Sequence, residues 1–463
     1  MTTINATELH RARRATAIIC VLAALAGLMF GLDIGVISGA IQFIQADFQV
    51  SDRTIEWIVS GMMLGAAIGA LGAGWLSAKL GRKRSLVLAA ILFVIGSVLC
   101  SAATSAPMLV GARLVLGLAI GVGTFTAPLY LAEVSSQKSR GAMVSIYQLM
   151  ITIGILAAFL SDLAFSHSES WRWMLGVIAI PGALFLIGVL TLPESPRWLL
   201  MRGRMQEAGR VLRRLRGDES RVESEIADIE EQLKTPQHGI RLFFGNRHFR
   251  RSVGLGILLQ AIQQFTGMNV VMYYAPRIFE GMGYATTAQL WFTAIVGLVN
   301  VLATFIAIGF VDRLGRKPIL YAGFVVMTIG MGVVGTMMHL GISTNAEQLF
   351  TVAMLLVFIV GFAMSAGPLI WMLCAEIQPL NGRDFGIGCS TVTNWIANMI
   401  VGLTFLTLLN TIGDAATFWL YAALNALFLI FTFWLIPETK GVSLEQIERN
   451  LMSGLPLRKI GRH

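Results

Sequence analysis

The chain has 463 residues, of which 56% are hydrophobic and only 13% charged, well below the roughly 25% charged residues of an average soluble domain. This composition excludes an ordinary soluble protein and indicates a polytopic membrane protein, because about 20 apolar residues suffice for one helical span. The net charge of +9 does not indicate a nucleic-acid partner, because the basic residues form short clusters beside apolar runs.

The first apolar run, residues 15–44, contains an acid, Asp33, within the segment 27–39. A carboxylate held in hydrocarbon is destabilising, so an acid inside a membrane span indicates a functional site whose partner lies elsewhere in the chain. We expect Asp33 to carry a proton. The alternative is an acid that only pairs two helices, although buried ion pairs stabilise proteins poorly.

Charged clusters divide the chain into twelve predicted membrane spans. Each is expected to be a helix, because the bilayer core holds no water to satisfy the backbone. The first run follows an arginine cluster as a signal peptide would, but it is too long for a signal core, so we expect it to remain as span 1. The predicted spans are 15–44, 56–78, 85–104, 108–133, 141–165, 171–192, 252–281, 288–311, 318–341, 348–376, 384–409 and 414–436.

Basic residues lie in alternate loops. They cluster before span 1, after each even-numbered span and in the tail, whereas the loops after odd-numbered spans hold few of them. By the positive-inside rule both termini face the cytoplasm, as an even number of spans requires. We call the span ends beside the basic loops the inner ends, and the opposite ends the outer ends.

One long polar region separates the first six spans from the last six. Its 205–233 part mixes Arg and Glu with Ala, Leu and Val at helical spacing, which predicts short cytoplasmic helices; a solvated charged linker is the alternative. The predicted organisation is a first half at 1–192, a linker at 193–251, a second half at 252–436 and a cytoplasmic tail at 437–463.

Three motifs occur twice, at offsets of 234 to 244 residues. Near-constant offsets predict two parallel repeats, a feature of transporters in which one half moves against the other and the substrate binds midway through the membrane. The pairs are Leu80-Gly81-Arg82-Lys83 with Leu314-Gly315-Arg316-Lys317, Ala132-Glu133 with Ala375-Glu376, and Pro193-Glu194-Ser195 with Pro437-Glu438-Thr439.

These motifs follow one another in a characteristic order with one other, Gln263-Gln264…Gly267…Asn269, and the motif at Pro193 continues as Pro193-Glu194-Ser195-Pro196-Arg197-Trp198. With them the chain resembles, nearly from end to end, the sugar porters of the major facilitator superfamily. It is most similar to bacterial galactose/proton symporters, and arabinose/proton symporters come next. Ala78 and Leu32 depart from the family pattern, since many members have an acid and a tyrosine at these positions.

The resemblance implies an all-α major facilitator fold of twelve helices in two six-helix halves. It implies secondary active import of a monosaccharide, D-galactose or another hexose, with a proton by alternating access. An arabinose or glucose/proton symporter and a proton-independent sugar uniporter are the alternatives. The expected location is the bacterial inner membrane, with the sugar, the proton and the lipid bilayer as partners, no cofactor, no metal and no obligatory protein partner.

Asp33 requires a counter-ion, and Arg113 is the only basic residue well inside another predicted span. From the helix rise, Asp33 lies about 16 Å and Arg113 about 8 Å from the outer ends of spans 1 and 4, and the long Arg113 side chain can reach inward. Small changes in exposure or pairing would then load or release a proton. The resemblance supports this, since proton-coupled sugar porters carry an acid here, opposite an arginine on helix 4.

Span 7 carries a polar stripe, because Gln260, Gln263, Gln264 and Gly267 recur at helical spacing. Neutral amides suit a neutral polyol, since each supplies a donor and an acceptor. The alternative is a set of hydrogen bonds between helices. Gly267 and Pro276 are expected to loosen the helix so that its outer part can close over the ligand.

The resemblance assigns further residues to the sugar site and to a charge network that holds the inner gate shut. The substrate-binding set is Gln148, Gln263, Gln264, Asn269, Asn300, Trp371, Asn394, Trp395 and, as an addition from span 1, Phe30. The gating set is Arg82, Glu133, Arg140, Asp312, Arg316, Glu376 and Arg383.

Two other classes of protein are less consistent with the sequence. An intramembrane enzyme lacks parts, because all six histidines lie in loops or near span ends and no His-Glu-x-x-His pair is present. A sugar sensor would need a signalling surface, and the tail after Gly441 is short. We therefore predict a transporter and not an enzyme.

Overall fold

A computed structural model describes residues 6–135, 140–168, 170–233 and 239–461, without the side chains of 6–13, 140–142, 144–145, 220–221, 232, 308–313 and 380. The described residues form helices and no strand. In chain order the helices are α1 (Ala6–Phe48), α2 (Asp52–Leu80), α3 (Arg82–Ser101), α4 (Ala106–Val134), α5 (Arg140–Phe165), α6 (Trp171–Val177), α7 (Ala179–Thr191), α8 (Pro196–Met201), α9 (Met205–Arg216), α10 (Glu219–Leu233), α11 (Gly239–Gly245), α12 (Arg247–Phe265), α13 (Met268–Gly281), α14 (Thr286–Leu314), α15 (Arg316–Leu340), α16 (Asn345–Met364), α17 (Ala366–Glu376), α18 (Arg383–Ile412), α19 (Asp414–Trp434) and α20 (Leu444–Met452).

Twelve helical segments of the described chain are long and apolar enough to cross a membrane. The predicted all-α polytopic fold is therefore confirmed. Three spans consist of two consecutive helices, namely span 6 (α6 and α7), span 7 (α12 and α13) and span 10 (α16 and α17), and the other spans are single helices.

Span 7 is interrupted where the sequence predicted a weak point. Helix α12 ends at Phe265 and α13 begins at Met268, with Gly267 between them at a φ of 91°, a conformation that glycine adopts without steric penalty. Tyr274, two residues before Pro276, also departs from helical geometry. Both irregularities divide the span near the polar stripe.

The interruption of span 10 differs from the prediction of one continuous helix over 348–376. Ser365 has a φ of −128° and a ψ of −90°, which ends α16 and begins α17. The physical reason is Pro368 in the first turn of α17. Proline donates no backbone hydrogen bond and its ring collides with the carbonyl four residues earlier, that of Met364.

Small residues allow span 1 to lie directly against span 5. Gly27, Gly31, Gly35 and Gly39 recur every fourth residue, and a methyl group added at Gly31 would lie 2.0 Å from the carbonyl oxygen of Ile151. Packing of this kind is how helices associate in a membrane, where no hydrophobic force separates them from lipid. The stripe fixes the rotation of span 1 about its axis.

The insert between the halves is helical and docks on the first half. Thr16 Oγ1 on α1 donates to the carbonyl oxygen of Leu215 at 2.9 Å, and Arg216 Nη1 on α9 donates to that of Val134 at 3.0 Å. The segment after span 12 instead contacts the start of span 7, because Arg251 Nη2 donates to the carbonyl oxygen of Leu455 at 3.1 Å.

Candidate functional site

Asp33 and Arg113 form an ion pair inside the first six spans. Arg113 Nη1 lies 2.7 Å from Asp33 Oδ1, and both side chains are completely buried. Arg113 Nε also donates to the carbonyl oxygen of Ile58 on span 2 at 3.3 Å. The structure therefore brings together the acid and the base that the sequence paired, and their role in proton coupling stays a prediction.

The glycine stripe positions Asp33. A methyl group added at Gly35 would lie 2.4 Å from Ala158 Cβ, and the one at Gly31 would meet span 5 as well. Asp33 stands two residues from each glycine, about 200° around the helix, so its side chain points away from span 5. Span 4 lies on that opposite side, and its Arg113 Nη1 donates a hydrogen bond to Asp33 Oδ1.

Each member of the ion pair keeps one polar atom without a partner. Asp33 Oδ2 and Arg113 Nη2 are buried and make no hydrogen bond in the described chain. Unsatisfied buried polar atoms are destabilising, so a functional role explains them better than a structural one. Chemically, Oδ2 can accept a proton while Oδ1 stays beside Arg113.

A cluster of amides joins spans 7, 10 and 11. Gln263 Nε2 donates to the carbonyl oxygens of Ala366 and Gly367, at 2.9 Å in both cases. Asn394 Nδ2 donates to Gln263 Oε1 at 2.8 Å and to Gln260 Oε1 at 2.6 Å. These contacts tie the polar stripe of span 7 to the point where span 10 is interrupted.

A second amide pair lies just beyond this cluster on span 7. Asn269 Nδ2 donates to Gln264 Oε1 at 2.5 Å. The bond bridges the interruption at Gly267, because Gln264 is on α12 and Asn269 is on α13. A change in the angle between the two helices would therefore act directly on these amides.

An aromatic contact joins span 1 to span 11 near the acid and the amide cluster. The rings of Phe30 on span 1 and Trp395 on span 11 are in edge-to-face contact, with centroids 5.2 Å apart. Phe30 precedes Asp33 by one helical turn, and Trp395 follows Asn394 directly. Trp395 is buried and its Nε1 has no partner, whereas Trp371 on span 10 is 38% exposed.

Two predicted sugar residues stand outside the amide cluster. Gln148 on span 5 is half-buried, and Asn300 on span 8 is buried. Neither side chain forms a hydrogen bond with the cluster in the described part of the chain. Their assignment to the sugar site continues to rest on the resemblance.

The inner end of the first half holds a two-point ion pair. Arg82 Nε and Nη2 donate to the two carboxylate oxygens of Glu133, at 2.8 Å each, and Ser195 Oγ donates to Glu133 at 2.5 Å. Glu194 accepts from the backbone N–H of Arg82 at 2.9 Å. It thereby caps α3, whose preceding residue, Gly81, has no side chain to do so.

The second half repeats this arrangement at the duplicated motifs. Arg316 Nη2 lies 2.9 Å from Glu376 Oε1, Thr439 Oγ1 donates to Glu376 at 2.5 Å, and Glu438 accepts from the backbone N–H of Arg316 at 3.1 Å. The two copies of each motif therefore occupy equivalent positions in the two halves.

The remaining gating predictions have different outcomes. Arg383 Nη2 donates to the carbonyl oxygen of Gln378 at 3.3 Å. The side chains of Arg140 and Asp312 lie outside the described residues. Each ion pair described above joins two residues of the same half.

Polar contacts join the two halves at the outer ends of spans 2 and 11. Glu56 is completely buried and accepts from both the backbone N–H and the hydroxyl of Thr407, at 2.7 Å in each case. Asn410 Nδ2 donates to Asp52 Oδ2 at 2.8 Å. The outer ends of the halves are therefore closed against one another in this structure.

Sequence reasoning missed two buried acids. Glu56 follows Arg53 by three residues at a predicted span end, where an arginine and a glutamate at this spacing usually form an exposed ion pair. Arg53 also donates a hydrogen bond to the carbonyl oxygen of Leu403, in the other half, at 2.7 Å. Asp162 is buried and accepts from the backbone N–H of Gly39 at 3.0 Å. An acid within the predicted span 141–165 was the available signal for Asp162, which lies three residues before the end of that span.

Comparisons with known proteins agree with this architecture. Residues 19–451 match the family described as sugar (and other) transporter. The chain is 64% identical to the galactose-proton symporter of Escherichia coli K12 over 97% of both chains. It is 56% identical to the arabinose-proton symporter of the same strain over 98% of this chain and 97% of the relative.

Solved structures with the same fold include the xylose transporter XylE from E. coli. Its partially occluded inward open conformation matches with a TM-score of 0.82 and 30% identity, covering 93% of this chain and all of that one. The proton:xylose symporter XylE bound to 6-bromo-6-deoxy-D-glucose matches with a TM-score of 0.79 and 31% identity, covering 94% of this chain and 99% of that one.

Proposed function

The chain belongs to the sugar transporter family of the major facilitator superfamily, and we propose that it imports a monosaccharide, D-galactose or another hexose, together with a proton. Its identity to a galactose-proton symporter over nearly the whole length supports the substrate class. The observation that carries the coupling is the completely buried pair of Asp33 and Arg113. Asp33 lies one helical turn from Phe30, whose ring contacts Trp395, the residue after Asn394.

The sugar binds between the halves, against the amides of spans 7 and 11 and the indoles of Trp371 and Trp395. Gln263, Asn394 and Gln264 are neutral, so they match hydroxyl groups without requiring an ion. An indole can also cover the apolar face of a pyranose.

The proton binds at Asp33. While Asp33 is ionised it compensates the charge of Arg113, and the buried pair is neutral as a whole. A proton on Oδ2 removes that compensation, and an uncompensated guanidinium in a dry site is strongly unfavourable. Proton binding therefore favours conformations in which water reaches the pair, and release restores the dry pair. This dependence couples protonation to the movement of the halves.

Alternating access follows from the two-half organisation. The proposed units are 1–192 and 252–436, with the helical linker 193–251 and the tail 437–463 at the inner end. The contacts between Glu56 and Thr407 close the outer ends, and the fold is similar to the partially occluded inward open conformation of the xylose transporter XylE. Both observations support an inward-facing conformation for this structure.

We further propose that the protein is a multi-pass protein of the bacterial inner membrane with both termini in the cytoplasm. The twelve spans and the bacterial relatives support the location. The concentration of basic residues in alternate loops supports the orientation. The sugar, the proton and the lipid bilayer are the proposed partners, and no step above involves a cofactor or a second protein.

Uptake into proteoliposomes tests the coupling. Asp33→Asn should lose accumulation of labelled D-galactose under an inward proton gradient while it retains some exchange of sugar, because the site is intact but takes no proton. Asp47→Asn is the matched control, since Asp47 pairs with Arg172 in an exposed position and should accumulate sugar normally. Undiminished uphill uptake by Asp33→Asn would contradict the assignment of proton coupling to Asp33.

A panel of sugars tests the substrate. Labelled galactose, glucose, arabinose and xylose should be compared with and without the gradient, because any two of these sugars differ in one hydroxyl orientation, in one hydroxymethyl group or in both. The 56% identity to an arabinose-proton symporter makes arabinose the second candidate. Flux that does not respond to the gradient would instead identify a uniporter, and binding without flux would identify a sensor.

A further inference from the structure

The orientation of three amides in the proposed sugar site is determined by backbone carbonyls. The carbonyl oxygens of Ala366 and Gly367 can only accept hydrogen bonds, so the atom of Gln263 that lies 2.9 Å from both must be its amide nitrogen. The Oε1 of Gln263 then faces Asn394. Because that oxygen is also an acceptor, Asn394 must present its nitrogen at 2.8 Å.

The same nitrogen of Asn394 has a second acceptor, which uses its remaining hydrogen. Gln260 Oε1 lies 2.6 Å from Asn394 Nδ2, and Gln260 Nε2 points to the sulfur of Cys374 at 3.6 Å. An amide nitrogen carries two hydrogens, so Asn394 has no donor left. Its Oδ1 accepts from no described residue and is not among the buried unpartnered atoms, so it retains accessible surface.

Gln260 itself cannot be a sugar ligand in this structure, because its side chain has no accessible surface. We propose that Gln260 is a positioning residue that holds Asn394 with its carbonyl oxygen toward the sugar, so that this part of the site accepts a hydrogen bond from a sugar hydroxyl and offers none. The inference rests on the proposed function, since it concerns how that sugar is recognised.

The consequence is a site with a defined polarity. At Asn394 the sugar must present a hydroxyl that donates. A group that only accepts hydrogen bonds therefore cannot bind at Asn394.

Calorimetric binding of D-galactose and its monodeoxy and monodeoxyfluoro analogues to the detergent-solubilised protein tests the proposal. Fluorine replaces the hydroxyl without donating a hydrogen bond. At the one position that faces Asn394, the deoxyfluoro and deoxy analogues should bind the wild type equally poorly, about tenfold weaker than galactose. Gln260→Met removes one of the two acceptors of Asn394 Nδ2 and leaves Gln263 Oε1 as the other. The amide is then held less firmly with its oxygen toward the sugar, so the penalty at that position should shrink to a few-fold while the penalties at other positions are unchanged.

Gln260→Glu in its protonated form has the shape of the amide and keeps an acceptor oxygen beside Asn394 Nδ2, so below the pH at which it ionises it should restore the wild-type pattern of penalties. A merely structural role predicts something else, namely that Gln260→Met weakens every analogue by the same factor. That uniform loss, or a Gln260→Glu pattern like that of Gln260→Met, would overturn the inference while galactose binding upholds the proposed function. Failure of the wild type to bind D-galactose or any other sugar of the panel would overturn the proposed function and this inference with it.

Discussion

The outer and inner ends of the molecule both contain buried or half-buried glutamates, but the glutamates bind different partners: residues of the opposite half at the outer end and residues of the same half at the inner end. At the outer end, Glu56 on span 2 accepts two hydrogen bonds from Thr407 on span 11, so the polar contact crosses from one half to the other. At the inner end, the pairs of Arg82 with Glu133 and of Arg316 with Glu376 each lie within one half.

The difference indicates which contacts change during transport. A movement of one half against the other must break the contacts at the outer end before that end can open. The inner pairs can persist through the movement, because both partners move together. We therefore expect the outer contacts to influence the balance between conformations. We propose that the inner pairs preserve the shape of each half and present charges to the other half when the inner ends approach.

The largest expected effect comes from fixing the outer contact covalently. Cross-linking Glu56→Cys to Thr407→Cys with a short, cleavable thiol reagent should reduce proton-driven uptake in proteoliposomes to the background of empty vesicles. Cleavage of the reagent should restore the activity that the double variant had before. The physical reason is that the outer ends cannot separate.

A cross-link within one half provides the control. Asp47 Oδ2 and Arg172 Nη1 lie 2.9 Å apart at the outer end of the first half. A cross-link between Asp47→Cys and Arg172→Cys joins residues that move together, so this double variant should retain its uptake after the same treatment. Normal uptake by the cross-linked Glu56 and Thr407 pair would contradict the comparison, because it would mean that the outer ends do not part during transport.

A smaller effect is expected from weakening the outer contact. Glu56→Gln removes the charge that strengthens both bonds from Thr407. Hydrogen bonds to charged groups contribute about 1.5–3 kcal/mol, so the equilibrium should shift toward the outward-open form by about tenfold or more. The labelling rate of an engineered cysteine between the outer ends of spans 1 and 7 measures the shift. An unchanged rate would show that Glu56 does not hold this end closed.

The smallest effect, with the opposite sign, is expected at the inner end. Glu376→Gln should favour the inward-facing form, because it removes a charge that is available to the opposing half when the inner ends meet. The shift should be only a few-fold, since Glu376 is 19% exposed and water and salt screen such charges. Labelling of an engineered cysteine in the inner cavity should increase. No increase would count against the proposed gating role.

The sequence determined the features that follow from local pattern. Apolar runs bounded by charges predicted the twelve spans, because lipid requires the backbone of each run to form a helix. An acid within such a run was sufficient to single out Asp33, and the scarcity of buried bases was sufficient to select Arg113. The duplicated motifs predicted that Glu133 and Glu376 occupy equivalent positions in the two halves, although the sequence does not give the distances to their arginine partners.

Tertiary structure decided the contacts between residues far apart in the chain. Glu56 and Thr407 are separated by 351 positions, and no periodicity or spacing relates them. The polarity of the amide cluster depends on the carbonyls at the start of α17, hence on the interruption before Pro368, which the sequence interpretation did not use. Pattern determines which segments become helices and which face of each is polar, whereas hydrogen bonds across the bundle have direction and range of a few ångströms and depend on how the helices are packed together.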